Sequence, residues 1–124
     1  MAGESILVVD DNPANLKLAR VLLTADGFLV KTAADAEEAL RVLETFQPNV
    51  ILMDIQLPGM DGLELTRRLK ADPTRSTIKI IALTAYAMKG DDEKARAAGC
   101  DGYIAKPIDP DTLGATVARL INQT

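Results

Sequence analysis

Short apolar runs alternate along the chain with longer stretches in which apolar residues recur at helical spacing. Four of these runs cover residues 6–9, 50–53, 78–83 and 103–105. Short runs rich in β-branched residues, without clean alternation, are typical of parallel strands that are buried on both faces. A fifth run, 28–33, is weaker because Lys31 interrupts it, which indicates a strand at the edge of the sheet.

The stretches between the runs carry the start and stop signals of helices. Asn12 and Pro13 supply an N-cap and a first-turn proline, and Gly27 supplies a stop. Asp35 opens a second helix that ends before Pro48. Three more helices are predicted over residues 63–69, over 91–98 and from 109–110 onward. Five strands alternating with five helices predict a three-layer α/β domain with a mainly parallel sheet.

The composition excludes several classes of protein. A chain of 124 residues with 48% apolar and 26% charged residues fits one globular domain, so we expect residues 1–124 to form a single domain without a separate output domain. An aromatic content of 3% and a net charge of −4 argue against nucleic-acid binding. The first apolar run is too short for an export signal or a membrane span, so we expect a cytoplasmic protein without membrane contact.

Histidine is absent from the chain, and Cys100 is its one cysteine. A single thiol excludes an intramolecular disulfide framework and a zinc site built from several cysteines. The absence of histidine excludes Ser-His and Cys-His catalysis and any phosphorylation on a histidine of this chain. The remaining chemistry must use carboxylates, hydroxyls and lysine.

Polar residues directly follow four of the predicted strands. Asp10 and Asp11 follow the first, Asp54 the third, Thr84 the fourth and Lys106 the fifth. Because the carboxyl ends of parallel strands meet at one edge of a sheet, we expect these side chains to converge. Two like charges about 4 Å apart repel by about 4 kcal/mol at an effective dielectric near 20. Three acids therefore predict a hard cation, Mg²⁺ or alternatively Mn²⁺.

Phosphoryl transfer to a carboxylate is the chemistry that fits this set of residues. Asp54 would act as the nucleophile and form an aspartyl phosphate. The cation, Lys106 and the Thr84 hydroxyl would neutralise and orient the phosphoryl oxygens. Each residue alone has an ordinary explanation as a helix cap, a strand end or a loop residue. Their position at the same end of successive strands favours the functional interpretation.

Four stretches of the chain resemble the receiver domain of response regulators in two-component signalling. They are residues 6–12, 54–62, 82–85 and 102–107, in the same order and spacing as in that family. The resemblance implies a flavodoxin-like sheet of five parallel strands in the order 2-1-3-4-5 with five helices. It also implies a bacterial signalling phosphoprotein that belongs to a phosphorelay. Residues 84–91 further resemble single-domain regulators of cell division and polarity, and the receivers of hybrid sensor kinases.

The resemblance implies roles for individual residues of the site. Asp54 corresponds to the phosphoacceptor, and Lys106 pairs with the phosphoryl group and is followed by a cis peptide bond. Asp11, Asp54 and the backbone carbonyl of Gln56 correspond to direct Mg²⁺ ligands. Asp10 acts on the ion mainly through water.

The resemblance also implies a switch and two kinds of partner. Thr84 and Tyr103 correspond to a switch pair: on phosphorylation the Thr84 hydroxyl moves towards the phosphoryl group, and the Tyr103 ring swings inward. The phosphoryl donor is a phosphohistidine of a sensor histidine kinase or a histidine phosphotransfer protein. A downstream protein reads the surface of helix 4, strand 5 and helix 5. The domain is then not an enzyme, since it catalyses only its own phosphorylation and dephosphorylation. The wide apolar stripe of the first helix adds the hypothesis that Leu16 or Leu23 helps to dock the donor.

Three other functions are compatible with parts of the pattern. A magnesium-dependent phosphatase or phosphotransferase acting on small molecules would use the same Asp54, but Gln56 stands where it needs a second acid. A flavin or nucleotide binder would need glycine-rich phosphate loops that the sequence lacks. An interaction module that is never phosphorylated would not need the complete set of acids.

Overall fold

A computed structural model of the chain describes residues 4–55, 57, 59–60, 62–84, 91–105 and 108–121, with only the backbone of residues 91 and 92. The strands are β1 (Ser5–Val9), β2 (Leu29–Ala33), β3 (Val50–Asp54), β4 (Lys79–Thr84) and β5 (Gly102–Ala105). The helices are α1 (Pro13–Ala25), α2 (Ala36–Leu43), α3 (Gly62–Ala71), α4 (Asp91–Ala98) and α5 (Leu113–Ile121). Strands and helices alternate along the chain, as the sequence predicts.

The five strands form one parallel sheet in the order β2-β1-β3-β4-β5. The expected fold and strand order are confirmed, and the interrupted run forms the edge strand β2. Val9 pairs with Met53, and Asp54 pairs with Leu83. This register brings the residues that follow β1 and the last residues of β3 and β4 to a common edge. We call it the acid edge, after Asp10, Asp11 and Asp54, and we call the opposite edge, where the strands begin, the amino edge.

The side chains of the sheet divide between two cores. Leu7, Val9 and Ile51 face a core that includes residues of α2, α3 and α4. Ile6 and Val8 face a second core that includes residues of α1 and α5. This arrangement is the predicted three-layer architecture. The central strands β1, β3 and β4 are buried on both faces, as their continuous apolar sequence indicates.

The helices begin and end close to the predicted signals. The side chain of Asn12 accepts hydrogen bonds from the first turn of α1, and Asp35 caps α2 in the same way. The fifth helix differs from the prediction: it begins at Leu113, because residues 110–112 form a turn in which the carboxylate of Asp109 accepts the Asp111 N–H. In the part of the chain that the structure describes, no helix is long and apolar enough to cross a membrane.

Candidate metal and phosphoacceptor site

Three carboxylates meet at the acid edge. Asp10, Asp11 and Asp54 each place one carboxylate oxygen within 4.8 Å of the other two. Asp54 is 3% exposed and Asp10 is fully buried, whereas Asp11 is exposed. The structure thus brings these three residues together as expected, with one side of the cluster open to solvent.

Asp10 is held from two directions at the point where β1 ends. Its backbone N–H donates to the carbonyl of Ala33 at 3.1 Å, which extends the pairing between β1 and β2 by one residue. Its side chain accepts the backbone N–H of Asn12 on Oδ1 at 2.9 Å and the side-chain amide of Asn15 on Oδ2 at 3.3 Å. Both carboxylate oxygens therefore receive hydrogen bonds from the segment that starts α1.

Asp54 lies against the first turn of α3. Gly62 begins that helix and donates its N–H to the Ile55 carbonyl at 3.3 Å. A Cβ atom at position 62 would overlap the backbone carbonyl oxygen of Asp54 and lie 2.8 Å from the Ile55 Cα. Only glycine allows this approach of helix and strand. The carbonyl of Gly62 also accepts the buried Thr66 hydroxyl at 2.8 Å.

Thr84 and Tyr103 lie on the neighbouring strands β4 and β5. Thr84 ends β4 at the acid edge with no exposed surface, and it pairs with Ala105. Tyr103 is half-buried and packs against the core formed with α2, α3 and α4. The Tyr103 side chain also lines a cavity of about 250 Å³ beside α4. The two residues of the expected switch pair thus reach both the acid edge and the α4–β5 surface.

Two expected site residues, Lys106 and Gln56, lie outside the described residues, as does the peptide bond that follows Lys106. The docking hypothesis for the first helix is wrong for Leu23, because its side chain is fully buried in the core. Leu16 is partly buried and retains some exposed surface.

The donor set fits a hard divalent cation. Mg²⁺ prefers oxygen ligands at about 2.0–2.1 Å and keeps several of its bound waters. Carboxylate oxygens within 4.8 Å of one another are close enough for one such ion to reach all three, directly or through water. The charges agree as well, since a dication offsets most of the repulsion among three carboxylates.

Comparison with known proteins gives the class of this domain. The chain matches the response regulator receiver domain over residues 6–118. It belongs to this family, so it is a receiver domain of two-component signalling, and the fold and broad function inferred from the sequence are confirmed. Receiver domains bind Mg²⁺ in an acidic pocket and interact with histidine kinases or phosphotransfer proteins.

Within this family, individual proteins can be named to which the chain is similar. The chain is 47% identical over 105 residues to the polar-differentiation response regulator DivK of Brucella anthropi, which covers 85% of each protein. The receiver domain of a Pseudomonas aeruginosa sensor histidine kinase superposes with a TM-score of 0.88 at 38% identity, over 98% of this chain and 100% of that one. That structure contains a magnesium ion in its active-site cleft. A chemotaxis response regulator of Vibrio cholerae superposes with a TM-score of 0.90 at 28% identity, over 96% and 99%.

The sequence alone did not indicate the contacts of Asn15 with Asp10, of Gly62 with the backbone of Asp54, or of Thr66 with Gly62. Asn15 lies one turn after the N-cap, where a polar residue is expected to be solvated. Gly62 belongs to a stretch that resembles the family, but the sequence does not show what its missing Cβ makes room for. A hydroxyl on an otherwise apolar face of α3 is the signal that could have drawn attention to Thr66.

Proposed function

We propose that Asp54 accepts a phosphoryl group from a phosphohistidine of a partner kinase or phosphotransfer protein. The observation that carries this proposal is the position of the Asp54 carboxylate, almost fully buried at the end of β3 with Asp10 and Asp11 oxygens within 4.8 Å. A buried carboxylate beside two others is an unfavourable arrangement unless a cation and a reacting group compensate it.

In the proposed reaction, a carboxylate oxygen of Asp54 attacks the phosphorus atom. The new bond is the P–O bond of an acyl phosphate, and the bond that breaks is the P–N bond to the donor imidazole. The imidazole leaves with the electron pair of that bond and takes up a proton from water. Asp54 must be ionised to react as a nucleophile.

The other residues of the site stabilise the charge that accumulates on the phosphoryl oxygens. Asp10, Asp11, Asp54 and the carbonyl of Gln56 would hold Mg²⁺, or Mn²⁺ in its place. When bound, the ion supplies positive charge to the transferring group. Thr84, at the adjacent strand end, would donate its hydroxyl to a phosphoryl oxygen. Lys106 would pair with another oxygen, an assignment that rests on its position in the family motif.

The output surface is proposed to consist of α4, β5 and α5. Tyr103 supports this assignment because it lies in β5, packs against the core and lines the cavity beside α4. Movement of Thr84 towards a phosphoryl group would leave room for the Tyr103 ring on the next strand. A downstream protein would then read the changed surface by a shift in population between two conformations. We propose that residues 1–124 act as one such domain, without turnover of other substrates.

Phosphorylation of defined variants tests the assignment of Asp54. The protein is incubated with acetyl phosphate and Mg²⁺, the acyl phosphate is reduced with borohydride, and the modified residue is located by mass spectrometry. We expect modification at position 54 in the wild type and none in Asp54→Ala. The matched control is Asp111→Asn, which removes an exposed carboxylate in the turn before α5 and should be labelled like the wild type. Labelling that persists in Asp54→Ala contradicts the proposal.

A further inference from the structure

Asn15 contacts the site but has no role in the function described above. Its side-chain amide donates to Oδ2 of Asp10 at 3.3 Å, while the backbone N–H of Asn12 donates to Oδ1 at 2.9 Å. Both carboxylate oxygens of Asp10 therefore accept hydrogen bonds from donors at the start of α1. The hydrogen bond from Asn12 is donated by the main chain, whereas the one from Asn15 depends on the identity of its side chain.

The cap of α1 fixes where the Asn15 amide points. Asn12 accepts the backbone N–H groups of Ala14 at 2.9 Å and of Asn15 at 3.3 Å, so the first turn of the helix is set relative to the end of β1. Pro13 at the first helical position restricts the same turn further. Asn15 is partly buried, and so is its hydrogen bond to Asp10. Its bond to Asp10 thus belongs to an ordered turn.

The position of Asp10 matters because its neighbours repel it. Asp10 is fully buried, and one of its carboxylate oxygens lies within 4.8 Å of a carboxylate oxygen of Asp11 and of Asp54. Rotation of the side chain away from the other two acids would lower that repulsion and would also take an oxygen out of reach of a shared ion. A donor on Oδ2 opposes that rotation and satisfies an oxygen that burial has removed from water.

We propose that Asn15 is a positioning residue of the Mg²⁺ site, acting through Asp10, and this inference rests on the proposed function of the acid edge. The amide holds the Asp10 carboxylate in the orientation in which all three acids serve one ion. Hydrogen-bond partners of metal-binding residues typically change metal affinity by about 10–100-fold when they are removed. Since the bond is long for an amide donor, we expect about tenfold.

The test is a Mg²⁺ titration of the unphosphorylated protein by isothermal calorimetry or by NMR chemical shifts. Asn15→Leu removes the amide at similar size and should raise the Kd for Mg²⁺ about tenfold. Asn49→Leu is the matched control, because the Asn49 side chain also takes part in a hydrogen bond, accepting the Ser5 N–H on Oδ1 at 2.8 Å, but at the amino edge. It should leave the Kd unchanged. Equal Kd values for Asn15→Leu and the wild type would overturn the inference, as would equal weakening by Asn49→Leu.

A double-mutant cycle separates action through Asp10 from a general structural effect. In an Asp10→Asn background, Asn15→Leu should have almost no further effect on the Kd, since the carboxylate it positions is gone. If the changes in binding free energy of the two single variants simply add in the double variant, the mechanism is contradicted. Should Asn15→Leu fail to fold by circular dichroism, Asn15→Ala removes the same amide with a residue that favours helices.

The same variants separate this inference from the proposed function. Phosphorylation of Asn15→Leu should reach the wild-type rate when Mg²⁺ is raised, because only the affinity for the ion is reduced. A rate that stays low at saturating Mg²⁺ would overturn the inference. A wild-type protein that binds Mg²⁺ but is not phosphorylated on Asp54 would refute the proposed function and leave the role of Asn15 standing. A wild-type protein that binds no Mg²⁺ would refute both.

Discussion

The two edges of the sheet treat charge in opposite ways. At the acid edge, three carboxylates of one sign lie within 4.8 Å of one another. At the amino edge, Lys70 Nζ lies 2.8 Å from Asp101 Oδ2 and also donates to the carbonyl of Ile78 at 2.8 Å. The same Asp101 oxygen accepts the Ile80 N–H at 2.9 Å. The amino edge thus joins the end of α3, the start of β4 and the turn before β5 through opposite charges.

This difference shows which charges serve the fold and which serve the reaction. The Lys70–Asp101 pair is complete within the chain, so its removal should affect stability and leave ion binding alone. The three acids gain from being close together only when a cation is present. Sites of this kind commonly sacrifice some stability for function. Variants at the two edges should therefore differ in how they change stability and Mg²⁺ affinity, and three variants test that expectation.

The largest effect is expected from Gly62→Ala at the acid edge. The added methyl group would overlap the Asp54 carbonyl oxygen, and backbone atoms of β3 cannot move aside easily. We expect a loss of about 3 kcal/mol in the free energy of unfolding, at the upper end for overpacked sites, and weaker Mg²⁺ binding because Asp54 is displaced. Urea unfolding and a Mg²⁺ titration measure the two effects.

Gly114→Ala provides the control for that prediction. A Cβ atom there would meet a carboxylate oxygen of Asp26, which is the end of a flexible side chain. The side chain can rotate away, so we expect a change in stability of less than about 1 kcal/mol and an unchanged Kd for Mg²⁺. If the two alanine variants behaved alike, the close approach of α3 to Asp54 would not be the reason for the glycine.

A smaller effect is expected from Lys70→Met at the amino edge. Methionine is chosen because it keeps an unbranched side chain in contact with Gly99. Gly99 has a φ of +107°, and a Cβ atom there would lie 2.9 Å from the Lys70 Cγ. The bonds to Asp101 and Ile78 are lost. Because the pair is partly exposed, with side-chain exposures of 22% and 31%, we expect a loss of about 1–2 kcal/mol.

The Mg²⁺ affinity of Lys70→Met should equal that of the wild type. Lys94→Met, which removes an exposed lysine of α4, makes the same change in net charge and should leave stability nearly unchanged. Weaker Mg²⁺ binding in Lys70→Met but not in Lys94→Met would show that the two edges are coupled, contrary to the division drawn above.

The smallest effect concerns Cys100, whose thiol lies near the amino edge. Burial raises the pKa of the thiol above its ordinary value, and the hydrogen bond to Thr66 opposes that rise only in part. The unfolded chain releases this proton above about pH 8.5 while the folded chain retains it, so stability is fully present below that pH and falls as pH rises further. Cys100→Ala should show a shallower fall in urea midpoint between pH 8 and pH 10. Parallel profiles would contradict the prediction.

Much of the fold follows from the sequence because its signals are local. The caps at Asn12 and Asp35 and the internal charge of the edge strand β2 each act within a few residues. The start of α5 was less predictable, since Asp109 can cap either a turn or a helix and packing decides between them.

The acids of the site were predictable for a different reason. Parallel strands bring their carboxyl ends to one edge, so Asp10 and Asp11 after β1 and Asp54 at the end of β3 had to converge once the strand order was known. The contacts of Asn15, Gly62 and Thr66 could not be derived in this way. They depend on the rotamer of a side chain and on the exact distance between a helix and a strand, which no local pattern determines.

The central position of β1 has a consequence for the kinetics of folding. β1 pairs with β3, although α1, β2 and α2 lie between them in the chain, so the acids meet only after a long segment has been closed. Pairing of this kind forms slowly because the loss of chain entropy precedes the gain in contacts. An ion that requires Asp10 and Asp54 together therefore binds only after β1 and β3 have paired. Binding of the ion should therefore lower the rate constant of unfolding and raise the rate constant of folding only slightly.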